Sequence, residues 1–371
     1  MSITIAGLSL FALWRLSWLH SEPLGEPLIG LNFSCNQAEY LLLETDEEFV
    51  PDDRPGRAEW CADTLGDLLR RTGARHVRIS VEWSQVEPSR DQYDFRLVDA
   101  LLQEAEAHGA RVLLTVGIKA QRHPEYYVPD WLRSTTGISA ATVITSHPEF
   151  REPALAMVRA VVAHVAASPA IEAWGAENEP YVTSARGEYW ANWTIGRDYV
   201  QEVVAIIRAG DPQHRPISVN HGQHWASDDA WRLALADSDA VGTSIYPFRN
   251  YTIFGWETVV DILELGPFMV NYANQARAAK AVGKELWVTE LQAEPWFTTD
   301  PRLVSPAAPS ANLSPDRLRE NIQAARRSGA TRLYLWGSEW WLQQSRDYQD
   351  ERWLEVAAVA MAESLDGRAG R

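Results

Sequence analysis

Short runs of β-branched and aliphatic residues alternate with longer amphipathic stretches along almost the whole chain. The amphipathic stretches have apolar positions three and four residues apart, which is typical of helices that bury one face. A glycine often stands between such a stretch and the next apolar run. Because glycine enters the left-handed conformation without steric cost, it commonly ends a helix. We interpret five glycines as such helix ends: Gly73, Gly109, Gly210, Gly283 and Gly329.

Eight of the apolar runs are predicted to be strands, and most of the amphipathic stretches between them to be helices. The predicted strands are Leu28 to Phe33, His76 to Val81, Arg111 to Val116, Ile171 to Gly175, Pro216 to Asn220, Ala240 to Ile245, Glu285 to Thr289 and Arg332 to Trp336. The predicted helices are Arg57 to Thr72, Phe95 to His108, Glu149 to Ala167, Arg197 to Ala209, Phe268 to Val282, a helix capped by Ser314 and Pro315, and Asp350 to Ser364. This alternation predicts an α/β fold of the (β/α)8 TIM-barrel type.

Loop lengths distinguish the two ends of the predicted barrel. The connections from helix to strand are short, whereas residues 34–56, 117–148, 246–262 and 291–313 form long connections from strand to helix. Chemistry in this fold lies at the carboxyl ends of the strands. A doubly wound sheet is the alternative, but no G-x-G-x-x-G follows the first strand. We predict a single barrel domain over residues 28–371, preceded by an apolar segment over residues 1–27.

Charge and composition narrow the range of partners. Asp and Glu number 50 against 34 Lys and Arg, and the net charge of −16 would repel a phosphate backbone, so we expect no nucleic acid partner. The 17 tryptophans outnumber the 12 tyrosines and the 9 phenylalanines. Since indole rings stack on the flat apolar face of a sugar ring, this composition favours a carbohydrate ligand.

The apolar run from Ile3 to Leu19 has two interpretations. Arg15 interrupts it and no Lys or Arg precedes it, which is unlike a signal peptide. The run is also shorter than the ~20 residues that cross a bilayer. It is predicted to be either a helix that closes the bottom of the barrel or a membrane anchor, so that a cytoplasmic and an anchored or exported location both stay open.

The cysteines and histidines give little indication of a metal site. Cys35 and Cys61 are expected to be free thiols, since they could pair only if their Cα atoms came within about 7 Å. The spacing of His221 and His224 is the nearest to that of metal ligands, but no third ligand is close to them in sequence. We predict neither a metal nor a cofactor.

Two of the predicted strands end in glutamate. Asn178-Glu179-Pro180 closes the fourth strand and Glu290 closes the seventh, and the ends of these strands face each other across a barrel mouth. Hydrolysis of a glycosidic bond with retention needs a carboxylic acid and a carboxylate roughly 5 to 5.5 Å apart. We therefore predict a retaining glycoside hydrolase that acts on an oligosaccharide or glycoside, with Glu179 as general acid/base and Glu290 as nucleophile.

With these motifs, residues 28 to about 345 resemble the clan A glycoside hydrolases, the retaining (β/α)8 enzymes that include the cellulase-like family 5. The resemblance implies the same two roles for Glu179 and Glu290. It further implies that Arg78 keeps the nucleophile ionised, that Asn178 binds the substrate 2-hydroxyl, that Tyr246 hydrogen-bonds the nucleophile and that Trp336 forms the floor of the sugar subsite. The chain departs from family 5 after the third strand, where Lys119 and His123 replace a histidine–asparagine pair, and in Asn220-His221 at the end of the fifth strand. It therefore resembles an outlying group of the clan, without a specific sugar.

Several alternatives stay open at this point. Lys119, His221 and Trp296 are further candidates for substrate binding, although a structural histidine is the simpler interpretation of His221. Glu294 is the rival nucleophile, and Glu82, Glu87 and Glu177 are interpreted as solvated or structural carboxylates. The rival functions are a carbohydrate-binding barrel without catalysis and a metal-dependent barrel hydrolase, which usually needs an H-x-H spacing that the chain lacks.

Overall fold

Eight parallel strands close into a barrel in a computed structural model of the protein. The structure describes residues 26–43, 56–122, 125–133, 143–182, 193–222, 229–253, 256–261, 270–296, 302 and 313–369, with backbone alone for 249–253, 256–261 and 366–369. The order around the barrel is β1-β2-β3-β4-β5-β6-β9-β10. These strands are β1 Leu28–Phe33, β2 His76–Ser80, β3 Arg111–Val116, β4 Ile171–Ala176, β5 Ile217–His221, β6 Ala240–Ile245, β9 Glu285–Gln292 and β10 Arg332–Trp336. The predicted (β/α)8 fold and its eight strands are confirmed: four strands have the predicted bounds, and the other four differ by one to three residues at one or both ends.

Twelve helices are described between and after the strands. They are α1 Cys35–Leu42, α2 Arg57–Thr72, α3 Trp83–Val86, α4 Arg96–Ala107, α5 Asp130–Arg133, α6 Pro148–Val165, α7 Arg197–Gly210, α8 Ala230–Asp237, α9 Tyr272–Ala281, α10 Pro315–Arg326, α11 Ser338–Tyr348 and α12 Arg352–Ala369. Ser314 caps α10 by accepting a hydrogen bond from the amide of Arg317, as predicted from Ser314-Pro315. The short helices α1 and α11 follow β1 and β10 almost directly and α8 follows β5; none of the three was given bounds from the sequence.

Four of the five glycines expected to end helices adopt the left-handed conformation. Gly73, Gly109, Gly283 and Gly329 have φ between 64° and 83°. The expectation for Gly210 is wrong, because this residue is the last of α7 and the following Asp211 has φ −95°. A Cβ atom at Gly210 would lie 2.6 Å from Cγ1 of Val162 on α6. Close packing of α6 against α7 therefore accounts for this glycine.

Two further features differ from expectation. Within residues 246–262, predicted as a loop, the strands β7 Phe248–Ile253 and β8 Trp256–Asp261 form an antiparallel pair. Cys35 and Cys61 were expected to be free thiols, but α1 and α2 bring their Cα atoms to 5.4 Å and they form a disulfide. That distance lies in the normal range for a disulfide.

The apolar segment Ile3 to Leu19 lies outside the described residues, so both of its interpretations stay predictions. The division of the chain at residue 28 is likewise still a prediction. His123 and His224 also lie outside the described part of the chain. Among the helices that the structure describes, none has the length and apolar character needed to span a membrane.

The lower part of the barrel interior combines an apolar layer with an ion-paired cluster. Leu113, Ala173, Ala240, Trp287 and Tyr334 come from five strands and form one buried apolar cluster. The register between β3 and β4 steps from Ile171 to Ala173, which leaves Glu172 as an extra residue in a bulge. Its carboxylate lies 2.8 Å from His76 on β2 and 2.6 Å from Arg332 on β10. Since neither strand neighbours β4, this contact lies inside the barrel.

Tight strand packing around β1 gives a stability prediction. A Cβ atom at Gly30 would lie 2.3 Å from the carbonyl oxygen of His76 on β2, which a rigid backbone cannot accommodate. We expect Gly30→Ala to lower the free energy of unfolding by about 1–3 kcal/mol, as overpacked cores do. Urea unfolding followed by circular dichroism measures this. Val282→Ala, at a position 60% exposed, is the control and should change stability by less than about 0.5 kcal/mol; equal midpoints for Gly30→Ala and the wild type would contradict the prediction.

Candidate active site

A buried arginine stands at the centre of the barrel mouth. Arg78 on β2 is 1% exposed, and all three of its guanidinium nitrogens donate hydrogen bonds. Nη1 lies 2.8 Å from Oε1 of Glu290 and 3.2 Å from Oδ1 of Asn32, Nη2 lies 2.7 Å from Oδ1 of Asn178, and Nε lies 3.3 Å from Oγ1 of Thr115. The guanidinium thus joins side chains from β1, β3 and β9 and from the loop after β4.

A bulge in β9 determines that the side chain of Glu290 faces the barrel interior. The register with β6 pairs Thr243 with Val288 and then Ser244 with Glu290, so that Thr289 is the extra residue of a bulge. Thr289 lines the same interior space as Arg78, and Glu290 contacts Arg78, so two successive side chains face the barrel interior. Regular strand alternation would turn one of them outward. Tyr246 donates a hydrogen bond to the second carboxylate oxygen of Glu290.

Glu179 lies at the end of β4 in an unusual backbone conformation. Its φ is 43° and that of Glu177 is 66°, both in the left-handed region that non-glycine residues seldom adopt. The amide of Glu179 donates to Oδ1 of Asn220 over 2.8 Å, and Ser244 donates to its carboxylate. A Cβ atom at Gly222 would lie 2.5 Å from this carboxyl group, so the absence of a side chain there gives Glu179 its room.

The two carboxyl groups are electrostatic neighbours in different surroundings. Burial, followed by the negative charge of Glu290, raises the pKa of Glu179 to about 7, while the Lys119 ammonium and the Ser244 hydroxyl act in the opposite direction. Glu290 is instead paired with the Arg78 guanidinium. The surroundings of Glu179 therefore favour a proton on its carboxyl group near neutral pH, whereas the carboxyl group of Glu290 contacts a buried guanidinium.

Asn178, between the two strained glutamates, is fixed on both sides of its amide group. Its Oδ1 accepts hydrogen bonds from Arg78 and, over 3.1 Å, from Nδ2 of Asn220. Its Nδ2 donates to the carbonyl of Ala120 over 3.2 Å. The orientation of the amide is thus determined by three contacts from three different strand ends.

Aromatic rings lie beside Glu290. The ring of Tyr246 packs against Trp336 and Trp296, with centroids 5.4 and 5.3 Å away. The guanidinium of Arg122 covers one face of Trp336 at 3.7 Å from the ring centroid, and its charge is paired with Glu294 and Glu339 at 2.7 and 2.5 Å. Trp336 and Trp296 are partly exposed, as the floor or wall of a sugar site would be.

Two predicted substrate-binding residues have protein partners instead. The side chain of Lys119 is 1% exposed and its ammonium faces the loop after β4. His221 is fully buried, and burial lowers its pKa to about 3, so its ring is neutral. The structural interpretation of His221 therefore fits its surroundings better than a role in binding.

Three further glutamates were interpreted as solvated or structural carboxylates, and their burial favours the structural interpretation. Glu82, Glu87 and Glu177 are 7%, 1% and 1% exposed. The carboxylate of Glu177 accepts the amide hydrogens of Ile118 and Lys119, and Glu294 is ion-paired with Arg122.

Three residues of the site were missed by the sequence analysis. It assigned no role to Ser244 and Arg122, and it did not interpret Asn220. In the sequence, nothing distinguishes these three residues from other serines, arginines and asparagines, because only the closed barrel brings them to the site.

Possible metal ligands do not converge at the mouth in the part of the chain that the structure describes. Among the described residues, one group has the spacing of a metal site: Cys35, Glu39 and Cys61. Its two sulfur atoms form the disulfide, and Glu39 is paired with Arg57 at 2.8 Å.

Comparison with known proteins relates the chain to glycoside hydrolases. The family model of glycoside hydrolase family 42, described as β-galactosidase, matches residues 51–195, a range that includes Arg78, Asn178 and Glu179. The chain resembles the clan A glycoside hydrolases. No curated protein matches the sequence.

Several solved structures share the fold at low sequence identity. A GH5_18 protein from Streptomyces cattleya in complex with GlcNAc has a TM-score of 0.59 and 16% identity, over 94% of this chain and 82% of that one. A cold-adapted β-galactosidase from Rahnella sp. R3 has a TM-score of 0.58 and 14% identity, over 93% of this chain. A β-galactosidase from the haloarchaeon Halorubrum lacusprofundi has a TM-score of 0.56 and 15% identity, over 91% of this chain.

This chain spans only 57% and 58% of the two β-galactosidases. At these identities the structures establish the fold, and the family match supports a glycoside hydrolase as the class of enzyme.

The raised pKa of Glu179 predicts a dependence of stability on pH. The folded protein holds this proton more tightly than the unfolded chain, whose carboxyl group has a pKa near 4.5. Folding therefore takes up a proton between about pH 4.5 and 7, and the contribution of Glu179 to stability falls as the pH rises through that window. Glu179→Gln cannot titrate, so we expect it to be more stable than the wild type at pH 8 by about 1–3 kcal/mol.

Urea unfolding at pH 4.5 and pH 8 measures this difference, which should shrink at the lower pH. The exposed Glu106→Gln is the control and should follow the wild-type curve. A Glu179→Gln variant that is less stable than the wild type at pH 8 would contradict the assigned environment.

Proposed function

We propose that the protein is a retaining glycoside hydrolase that cleaves O-glycosidic bonds by double displacement, with Glu179 as acid/base and Glu290 as nucleophile. The observation that carries the proposal is the contrast between two neighbouring carboxyl groups, one ion-paired with Arg78 and the other with a raised pKa. This is the division of states that the first step of the reaction needs. The family-model match supports the same class of enzyme.

In the first step, Glu179 gives its proton to the glycosidic oxygen as the bond from that oxygen to the anomeric carbon breaks. The carboxylate of Glu290 attacks the anomeric carbon from the opposite face and forms a glycosyl ester. Arg78 and Tyr246, which hold the two oxygens of Glu290, keep the attacking group oriented. Asn178, fixed beside Arg78, is the candidate for contact with the substrate 2-hydroxyl.

In the second step, the Glu179 carboxylate accepts a proton from water. The water oxygen attacks the anomeric carbon, the ester bond to Glu290 breaks, and the sugar leaves with its original anomeric configuration. Burial is the largest cause of the raised pKa of Glu179 and the charge of Glu290 is the second; formation of the ester neutralises Glu290 and so removes the second cause. The same carboxyl group can thus change from acid to base between the steps.

We further propose a short or terminal substrate. Long connections follow the first, third, sixth and seventh barrel strands, which favours a walled pocket over an open cleft. Trp336 and Trp296, which are partly exposed and pack against Tyr246, supply flat apolar surface near Glu290, where the ring at the cleaved bond would lie.

Replacement of the nucleophile tests the proposal. Glu290→Gln keeps the size of the side chain but cannot form the ester, so we expect kcat to fall by at least about a thousandfold. The assay uses 4-nitrophenyl galactosides, glucosides, mannosides and xylosides of both anomeric configurations. Glu294→Gln is the matched control, because Glu294 is the rival nucleophile four residues away, and it should lose less than about a hundredfold.

Proton NMR of the first product formed by the wild type should show the anomeric configuration of the substrate. Inversion, or near wild-type activity of Glu290→Gln, would refute the mechanism. Binding of the glycosides without turnover would indicate a carbohydrate-binding barrel, and loss of activity in a chelator would indicate the metal-dependent rival.

A further inference from the structure

Lys119 links the loops that follow β3 and β4. Its side chain is 1% exposed, and its Nζ lies 3.3 Å from the carbonyl oxygens of both Glu179 and Val182. The same ammonium is ion-paired with Glu125 at 3.0 Å. An ammonium group has three N–H donors, and three oxygens of the protein lie within reach of this one.

A second contact runs in the opposite direction between the same loops. The carboxylate of Glu177 accepts the amide hydrogens of Ile118 and Lys119 over 2.8 and 3.0 Å. Gly117 has φ 153°, and a Cβ atom there would lie 2.2 Å from the carboxyl carbon of Glu177. Glu177 thus fixes the backbone at Lys119, and the Lys119 side chain in turn holds the backbone at Glu179.

The backbone after β4 needs such support. Glu177 and Glu179 both have positive φ, which costs of order 1–3 kcal/mol for each non-glycine residue. Glu179 also precedes Pro180, which restricts its conformation further. The conformation that directs Glu179 towards Glu290 is therefore maintained by contacts from other strands, namely Asn220 at the amide and Lys119 at the carbonyl.

We infer that Lys119 is a positioning residue of the proposed acid/base: it holds the backbone of Glu179 so that the carboxyl group faces the cleaved bond, and it does not bind substrate. This inference rests on the proposed function. It replaces the expectation that Lys119 contacts the sugar. A lysine that only stabilises the fold would affect all substrates equally, whereas a lysine that positions the acid affects those that need protonation.

The test compares two leaving groups on the sugar that the wild type hydrolyses fastest. Release of 2,4-dinitrophenol needs little protonation, whereas release of unsubstituted phenol needs a well-placed acid. We expect Lys119→Met to lower kcat/KM by at least about thirtyfold for the phenyl glycoside and by less than about fivefold for the dinitrophenyl glycoside. Lys119→Arg, which keeps the charge and the donors, should recover most of the loss.

The pH profile gives a second readout. Lys119 lowers the pKa of Glu179, against the effects of burial, Glu290 and Glu125. Loss of the ammonium should therefore move the alkaline limb of kcat/KM to higher pH. Glu177, whose pKa burial raises to about 7 while the nearby Lys119 charge lowers it, and Tyr126, whose ring lies 5.8 Å from Nζ, also face this lysine, so the pKa of Glu177 should rise in the variant as well.

Lys284 provides a matched control at the other end of the barrel. Its Nζ also donates to two backbone carbonyls, those of Leu235 and Ala236, at 2.6 and 3.3 Å. Lys284→Met removes the same kind of contact far from the mouth and should change both glycosides alike. If Lys119→Met does not fold, Glu125→Gln is the alternative variant, since the side chain of Glu125 is 32% exposed. It should show the same selective loss, but a smaller one.

The outcomes separate this inference from the proposed function. Equal losses on both glycosides, an increase confined to KM, or an unmoved alkaline limb would overturn the role of Lys119 while the wild type remains active and Glu290→Gln inactive. Failure of the wild type to hydrolyse any glycoside would instead remove the proposed function.

Discussion

The guanidinium of Arg78 is the interaction on which the rest of the barrel mouth depends. A cation that is 1% exposed must be surrounded by acceptors, since an unpaired buried charge costs several kcal/mol. Asn32, Thr115, Asn178 and Glu290 supply those acceptors from four other parts of the barrel. The need to satisfy one buried cation therefore brings the ends of these strands to a common point.

Around that centre, similar side chains acquire different properties. Glu290 meets Arg78 and Tyr246, whereas Glu179 meets a hydroxyl group and the charge of Glu290. The environment, and not the residue type, decides which carboxyl group holds a proton. The cost lies in the backbone, in the bulge at Thr289 and in the positive φ of Glu177 and Glu179. Strain and buried charge are concentrated at the mouth, as expected where a fold is adapted for chemistry.

The sequence allowed the barrel to be predicted in detail because its evidence is local. Apolar runs and helix-ending glycines such as Gly73 identify elements without knowledge of their neighbours. Gly210 shows where such local evidence fails. A glycine is needed there because of the close contact with Val162, and that contact is known only from the packing of the helices. The disulfide of Cys35 with Cys61 likewise depends on how two separate helices meet.

Some residues of the candidate site could likewise be predicted from local sequence, and others could not. Glu179 and Glu290 could be proposed because each closes an apolar strand, and a motif carried over Arg78, Asn178 and Tyr246. Ser244 and the support of the Glu179 backbone by Lys119 could not be predicted, because they depend on the bulge in β9 and on the conformation after β4. These are contacts between residues more than 40 positions apart.

The most direct measurement of the central claim is covalent trapping of the nucleophile. A 2-deoxy-2-fluoro glycosyl fluoride of the preferred sugar slows hydrolysis of the glycosyl ester, so the intermediate accumulates. After proteolysis, mass spectrometry locates the added sugar. The account predicts a single adduct on Glu290, formed more slowly when Arg78 is replaced. An adduct on Glu294 or Glu179, or hydrolysis without any adduct, would contradict it.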